Sequence, residues 1–191
     1  MQNESMMRVR TGIARRGAAG IVYGVVGLTL VTAGCDRFLP GRTQPMPPIE
    51  EVERIYRENG LREAGLQIDG NVIVISVSQD TAQLQRGGSL WARVGPYIYL
   101  FNAGTQVILE GYPGVAAVRV ITATPAGTEI ARATLQQNQL NAVTWRRALN
   151  LVGHAVNDGT RRPSLLFDLV QWGEQHTTFS YNRDFVPEAG S

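Results

Sequence analysis

Residues 66–77, Leu-Gln-Ile-Asp-Gly-Asn-Val-Ile-Val-Ile-Ser-Val, contain two runs rich in β-branched residues on either side of the Asp-Gly-Asn at residues 69–71. Such runs, separated by a tight turn, predict a β-hairpin. A second hairpin is predicted from residues 115–124 and 129–135, which are joined by a turn containing Pro and Gly. These two hairpins are the predicted centre of the fold.

Apolar residues at helical spacing surround the predicted strands. A helix is predicted over residues 48–58, because prolines precede it and acidic residues occupy its first turn. Further helices are predicted over residues 90–112, over residues 141–156 with Asn141 as the cap, and from Pro163 onward. This order predicts an α+β fold of two layers, in which a mostly antiparallel sheet of about four strands, formed by the two hairpins, is packed with helices.

Residues 90–112 carry large apolar side chains at steps of three and four, which is the spacing of one helix face. The pair Gly95-Pro96 interrupts the pattern, so we expect a kinked helix or two helices that meet there. The residues predicted to face the core are Val94, Ile98, Phe101 and Ile108. Those predicted to face elsewhere are Arg93, Tyr99 and Gln106.

The same stretch is the most aromatic part of the chain. Trp91, Tyr97, Tyr99 and Phe101 all fall within residues 91–101. Packing in the core explains such residues, because aromatic side chains bury large areas. The alternative interpretation is a binding face, in which Trp91, Tyr97 and Tyr99 contact a partner or a ligand.

The composition is that of a globular protein, with 43% hydrophobic and 18% charged residues. The formal charge is +2, but four of the 18 basic residues and one of the 16 acidic residues lie before position 35, which leaves the remainder at −1. This balance does not favour nucleic acid as a partner. The single cysteine, Cys35, excludes an intrachain disulfide.

The amino-terminal segment has the charge order of an export signal. Residues 8–16 carry four arginines, and residues 17–34 carry no charge. The uncharged run ends in Ala33-Gly34-Cys35, and small residues before a cysteine resemble the lipobox of bacterial lipoprotein precursors. Thr32 stands where that motif usually has an aliphatic residue.

The resemblance to lipoprotein precursors implies a division of the chain. Residues 1–34 would be the signal peptide, and Cys35 would be lipidated on its sulfur and become the new amino terminus. Residues 35–48 would then comprise the lipidated cysteine and a proline-rich tether. Residues 49–185 would form a single α+β domain, followed by a polar tail over residues 186–191.

The expected location is extracytoplasmic and anchored to a membrane. Arginines before an apolar run keep that end in the cytoplasm, and two or three acyl chains are sufficient for stable anchoring. Asp36 directly after Cys35 resembles the retention signal for the inner membrane, so its periplasmic face is expected rather than the outer membrane. The alternative is an uncleaved spanning helix, because the uncharged run has the length needed to cross a bilayer.

Motifs for catalysis or metal binding are scarce in the sequence. The two histidines, His154 and His176, do not have a metal-ligand spacing, and Cys35 is committed to lipid in this interpretation. Nucleophile-elbow, phosphate-loop and dinucleotide-binding motifs do not occur. The Gly-Gly-Ser at residues 87–89 precedes a predicted helix and is a candidate anion cradle. We therefore predict no catalytic residue, no metal and no cofactor.

Two arginine pairs, Arg146-Arg147 and Arg161-Arg162, bracket the penultimate helix and are candidates for a basic rim that contacts an acidic partner or lipid phosphates. A solvated helix face is the alternative. The first hypothesis is a non-enzymatic, lipid-anchored module that docks on a protein partner, for instance as an extrinsic stabilising or assembly subunit of an inner-membrane complex. The competing hypothesis is a small periplasmic enzyme or ligand-binding lipoprotein with its site in residues 91–101.

Overall fold

A computed structural model of the chain describes residues 45–187. These residues belong to one compact unit. The predicted signal peptide, Cys35 and most of the predicted tether lie outside the described residues, as do residues 188–191. Within residues 45–187, every helix is too short or too polar to cross a lipid bilayer.

Helices and strands account for most of the described residues. The helices are α1 Ile49–Glu58, α2 Thr81–Leu100, α3 Ala103–Gly111, α4 Ala142–Asp158 and α5 Pro163–His176. The strands are β1 Gly65–Asp69, β2 Val72–Ser78, β3 Ala117–Ala123, β4 Glu129–Gln136 and β5 Thr178–Tyr181. Along the chain their order is α1-β1-β2-α2-α3-β3-β4-α4-α5-β5.

The five strands form one mixed sheet, in which their spatial order is the same as their order in the chain. β1 and β2 form the first predicted hairpin, with Gly70 at φ +60°, and β3 and β4 form the second, with Gly127 at φ +86°. A positive φ favours glycine because a side chain would strain the backbone. The predicted α+β class is confirmed, and both hairpins are present.

The mixed sheet agrees with the mostly antiparallel sheet that was predicted, and it has one strand more than the predicted number of about four. β2 and β3 are parallel, because α2 and α3 form a crossover between the two hairpins. β5 adds a fifth strand, antiparallel to β4. Its residues alternate in the sequence, but a run of four is too short to identify a strand until α5 places it against β4.

The two faces of the sheet have different environments. Toward the helices the strands present Ile73, Val120 and Leu135, each 0% exposed. The opposite face presents Ser76 and Arg132, which are exposed. α2 packs against β3, β4 and α5, so the main core lies between the sheet and the helices.

The start and the break of α2 differ from the prediction. Asp80 caps the helix by accepting a hydrogen bond from the backbone N–H of Ala82 at 2.9 Å. The helical backbone is interrupted at Gly88, whose φ is +59°, and not at Gly95-Pro96. A new helix, α3, begins only after Asn102, whose side chain caps it.

α2 continues through Pro96, beside the side chain of Gln79. Pro96 lacks the N–H that would bond to the carbonyl oxygen of Ala92 in the preceding turn. The Gln79 side chain donates from Nε2 to the neighbouring carbonyl oxygen, that of Trp91, at 3.0 Å. Gly95 leaves room for this amide, since a Cβ there would lie 2.7 Å from Gln79 Nε2.

The predicted helical phase is confirmed at its main positions. Val94, Phe101 and Ile108 are all 0% exposed. Ile98, predicted to face the core, and Tyr99, predicted to face elsewhere, are both partly buried against the same core. The exposure of Ile98 and that of Tyr99 therefore differ less than the periodicity predicts.

Both ends of the predicted domain contribute side chains from slightly beyond its predicted limits of 49 and 185. Met46 packs against the main core, and Pro47 is buried. Val186 packs against a smaller cluster that contains Leu84 and Ile130. The folded part thus includes the last residues of the predicted tether and the first residue of the predicted tail.

Candidate functional site

The three aromatic residues predicted to form a binding face lie in different environments. Tyr97 is 0% exposed and lies in the core, so its ring does not contact a partner directly. Trp91 and Tyr99 are partly exposed. The indole of Trp91 packs so closely on Gly87 that a Cβ there would overlap the ring. Trp91 and Tyr99 therefore remain candidates for contact with another molecule.

A polar cluster joins α2, α5 and β5. Arg93 Nη2 lies 2.5 Å from Glu174 Oε1, and the same oxygen accepts a hydrogen bond from the Tyr181 hydroxyl at 2.9 Å. The Tyr97 and Tyr181 hydroxyls are 2.9 Å apart. Because Tyr181 donates its proton to Glu174, its oxygen is available to accept the proton of Tyr97. The four side chains of this Arg93 cluster are thus connected.

The electrostatics of the Arg93 cluster suit positioning better than proton transfer. Burial raises the pKa of Tyr97 to about 12, and burial together with the neighbouring Tyr97 and Glu174 raises the pKa of Tyr181. Burial alone would lower the pKa of Arg93, but the hydrogen bond and the charge of Glu174 raise it overall. Both tyrosines therefore stay protonated near neutral pH, and the charge-assisted hydrogen bonds fasten β5 to the helices.

A groove of about 670 Å³ runs along β5 beside the Arg93 cluster. Its lining comes from β5, from α2, from α5 and from the segment after β5: Phe179, Ser180, Tyr181, Ser89, Arg93, Glu174, Arg183, Val186 and Pro187. Phe179 is 41% exposed, and its ring centre lies 5.1 Å from that of Tyr181. We call this space the β5 groove.

A second groove, of about 340 Å³, lies between α2 and the turn that joins α4 to α5. The partly exposed indole of Trp91 is part of its wall, beside the polar side chains of Arg86 and Thr160. Its volume falls within the range of about 300–1,000 Å³ that is usual for small-molecule sites. We call this space the Trp91 groove.

The two predicted arginine pairs are all exposed, on or beside α4 and α5. The guanidinium of Arg147 lies 4.6 Å from the centre of the Trp172 ring, which is a cation–π contact. Arg161 Nη1 lies 3.9 Å from Asp158 Oδ1. Large apolar side chains are also exposed on these helices, namely Val143, Val156 and Phe167. On α4, Val143, Arg146 and Arg147 lie at i, i+3 and i+4, so they share one exposed side of the helix. We call these three residues, together with Arg161 and Arg162 beyond the end of α4, the α4/α5 surface.

The two histidines have separate surroundings. His176 stacks on Trp172 with ring centres 3.8 Å apart, and its Nδ1 lies 2.8 Å from the Trp172 carbonyl oxygen. His154 is exposed on α4. Across residues 45–187, no group of three or more His, Cys, Asp or Glu side chains is placed to hold a metal ion. The candidate anion cradle at residues 87–89 lies at the break inside α2.

The Arg93 cluster is not apparent as a unit in the amino-acid sequence. Arg93 and Glu174 are 81 positions apart, and Glu174 and Tyr181 are 7 apart. A single arginine, glutamate and tyrosine with such separations along the sequence form no recognisable motif. The only local signal is the alternation of residues 177–181, which places Tyr181 and Phe179 on the same side of a strand.

Comparison with known proteins does not assign the chain to a family. No family model matches it, no curated protein matches it, and no solved structure matches it. The residues and their geometry therefore carry the functional inference.

Proposed function

We propose that the protein is a lipid-anchored, extracytoplasmic binding module that docks on a protein partner at the membrane and does not catalyse a reaction itself. The observation that carries the proposal is the order of features before the folded domain. Arginines in residues 8–16, an uncharged run over residues 17–34 and then Ala33-Gly34-Cys35 have the organisation of a lipoprotein precursor. An extrinsic stabilising or assembly subunit of an inner-membrane complex fits this organisation, and Asp36 favours the inner membrane.

A short tether would connect the anchor to the domain. About ten residues separate Cys35 from the first described residue, Pro45, and in an extended polyproline conformation they reach roughly 30 Å. That length holds the domain clear of the lipid headgroups and still confines it to proteins of the same membrane. A tethered domain therefore meets a membrane partner at a high effective concentration.

Cys35 is expected to be the lipidated amino terminus of the mature protein. Mass spectrometry of the protein from native membranes should show that residues 1–34 are removed and that Cys35 carries two or three acyl chains. Cys35→Ser should abolish both changes, whereas Thr43→Ser in the same tether should leave them intact. An intact amino-terminal segment with an unmodified Cys35 would instead indicate a spanning anchor.

The α4/α5 surface is the proposed docking face. Protein interfaces are enriched in arginine, and their cores are apolar; this surface combines four exposed arginines with Val143, which is 65% exposed. We propose that an acidic patch of the partner contacts the arginines around Val143.

The double variant Arg146→Glu with Arg162→Glu is expected to abolish co-purification of a stoichiometric partner from membranes in mild detergent, because it reverses the charge at both ends of the docking face. Arg62→Glu is the matched control, since it reverses an exposed arginine elsewhere on the domain. A partner that stays bound to the double variant would contradict this docking face. If no partner accompanies the unmodified protein, the docking function itself is wrong.

A small ligand-binding or enzymatic lipoprotein is the second candidate, and the Trp91 groove favours it. The groove combines an aromatic wall with two polar side chains, Arg86 and Thr160. The same purified protein distinguishes the two candidates. A small molecule that is released on denaturation, and that is absent from Trp91→Ala protein, would support the ligand-binding alternative.

A further inference from the structure

Within residues 45–187, β5 is an edge strand that pairs only with β4. The N–H of Asn182 donates to the carbonyl oxygen of Ile130 at 2.9 Å, which defines one hydrogen-bonded pair of the β4–β5 ladder. In an antiparallel ladder, bonded and non-bonded pairs alternate. The even-numbered residues of β5 are therefore bonded to β4, and the N–H and C=O groups of Phe179 and Tyr181 point away from the sheet.

Edge strands are commonly kept from pairing by short length, charges, prolines or bulges. β5 is four residues long, so short length is the only one of these features that it has. β1, at the other edge, carries Asp69 with its side chain 71% exposed. β5 has the sequence Thr-Phe-Ser-Tyr, with neither a charge nor a proline, and Phe179 is exposed. The β5 groove leaves open space along it.

The edge is also held in place before any strand is added. Tyr181 is fixed by its hydrogen bonds to Glu174 and Tyr97, and Glu174 is fixed in turn by Arg93. A strand that is already ordered loses little conformational freedom when it pairs. The Arg93 cluster therefore prepares β5 as an interaction surface.

We propose that β5 pairs antiparallel with β5 of a second copy of this chain, so that two five-stranded sheets become one continuous sheet. The edge is self-complementary about a two-fold axis at Ser180. That axis places Phe179 opposite Tyr181 of the other copy, and these are the two β5 positions whose backbone groups have no backbone partner among residues 45–187. Each such pair exchanges both of its backbone hydrogen bonds, and the symmetry repeats the pair on the other side of the axis.

The side chains are compatible with this pairing on both faces of the sheet. On the helix side, Phe179 and Tyr181 of both copies form cross-strand aromatic pairs, which stabilise antiparallel strands. On the open side, the two Ser180 side chains meet at the axis. No residue of β5 is charged, so the axis brings no like charges together. The pairing belongs to the folded domain and does not depend on the lipid anchor.

A cysteine at position 180 tests the register of the dimer. Two residues on the axis form a non-bonded pair with their Cα atoms about 4.5 Å apart, which is within the range that a disulfide spans. In full-length Cys35→Ser protein, which has no other thiol, Ser180→Cys should form a covalent dimer under mild oxidation. Thr178→Cys lies on the same face of β5, but its two copies would be roughly 14 Å apart, so it should stay monomeric on a denaturing gel.

A second pair of variants tests the association without a cross-link. Phe179→Lys should convert the dimer into a monomer in multi-angle light scattering, because it places a charge among the paired Phe179 and Tyr181 rings of the two copies. Val107→Lys is the matched control, since it also replaces an exposed apolar residue, 47% exposed, and lies on α3, outside both proposed surfaces; it should leave the dimer intact. A monomeric unmodified chain, equal cross-linking of the two cysteine variants, or a cross-linked product that contains a different protein would each overturn the proposal.

Discussion

Phe101→Ala is expected to lower the free energy of unfolding by about 3–5 kcal/mol, because it removes a large buried ring and leaves a cavity in the core. Phe101 is 0% exposed, and its ring stacks on that of Tyr97 with centres 6.1 Å apart. It also ends α2, so its loss disturbs the junction with α3. Such a change is a large share of the roughly 5–15 kcal/mol that stabilises a typical domain.

Tyr99→Ala is the control for the Phe101 prediction. Tyr99 lies on the same helix but is only partly buried, so its replacement should cost much less. Chemical denaturation of the two variants, compared with the unmodified protein, measures the difference. Similar losses for both residues would mean that the packing around the end of α2 is not as described.

Gly173→Ala is expected to destabilise the protein by about 1–3 kcal/mol, although alanine is normally the better residue in a helix. Gly173 lies inside α5, where it faces the Tyr97 ring of α2. A Cβ there would lie 2.4 Å from Tyr97 Cδ1, so the two helices must move apart or the ring must leave its place. Tyr97 has little freedom to move because it is buried and its hydroxyl is bonded to Tyr181.

Gly153→Ala is the matched control, and it should raise the stability of the protein instead of lowering it. Gly153 lies inside α4, and nothing comes within 4 Å of a Cβ built there. Alanine at such a position stabilises a helix by about 0.5–1 kcal/mol. Thermal melts of the two variants test the contrast directly. Stabilisation by both substitutions would show that α2 and α5 are not in close contact at Gly173.

The contact at Gly173 bears on the proposed dimer as well as on stability. Tyr97 connects the α2–α5 contact to the Tyr181 hydroxyl, and Tyr181 provides half of the free backbone edge of β5. Displacement of Tyr97 by Gly173→Ala is therefore expected to loosen β5 as well. The core and the interaction surface are joined through this one buried tyrosine.

Local sequence patterns were sufficient to predict the parts of the fold that depend on neighbouring residues. The turn at residues 69–71 brings β1 and β2 together because adjacent runs need only a tight turn to pair. The spacing of Val94, Phe101 and Ile108 determined which face of the helical region is buried. The export-type segment that ends at Cys35 was also recognised from local patterns, and it remains a prediction.

Tertiary structure decided what depends on residues far apart in the chain. The parallel pairing of β2 with β3 follows from the crossover through α2 and α3, and β5 becomes a strand only beside β4. The break of α2 lies at Gly88 and not at Gly95-Pro96, where Gln79, from outside the helix, donates to the Trp91 carbonyl oxygen. Arg93 and Glu174 form an ion pair although they are 81 positions apart in the chain. No local sequence pattern encodes such a contact. The two charges stabilise the fold only after the packing of α2 against α5 has brought them together.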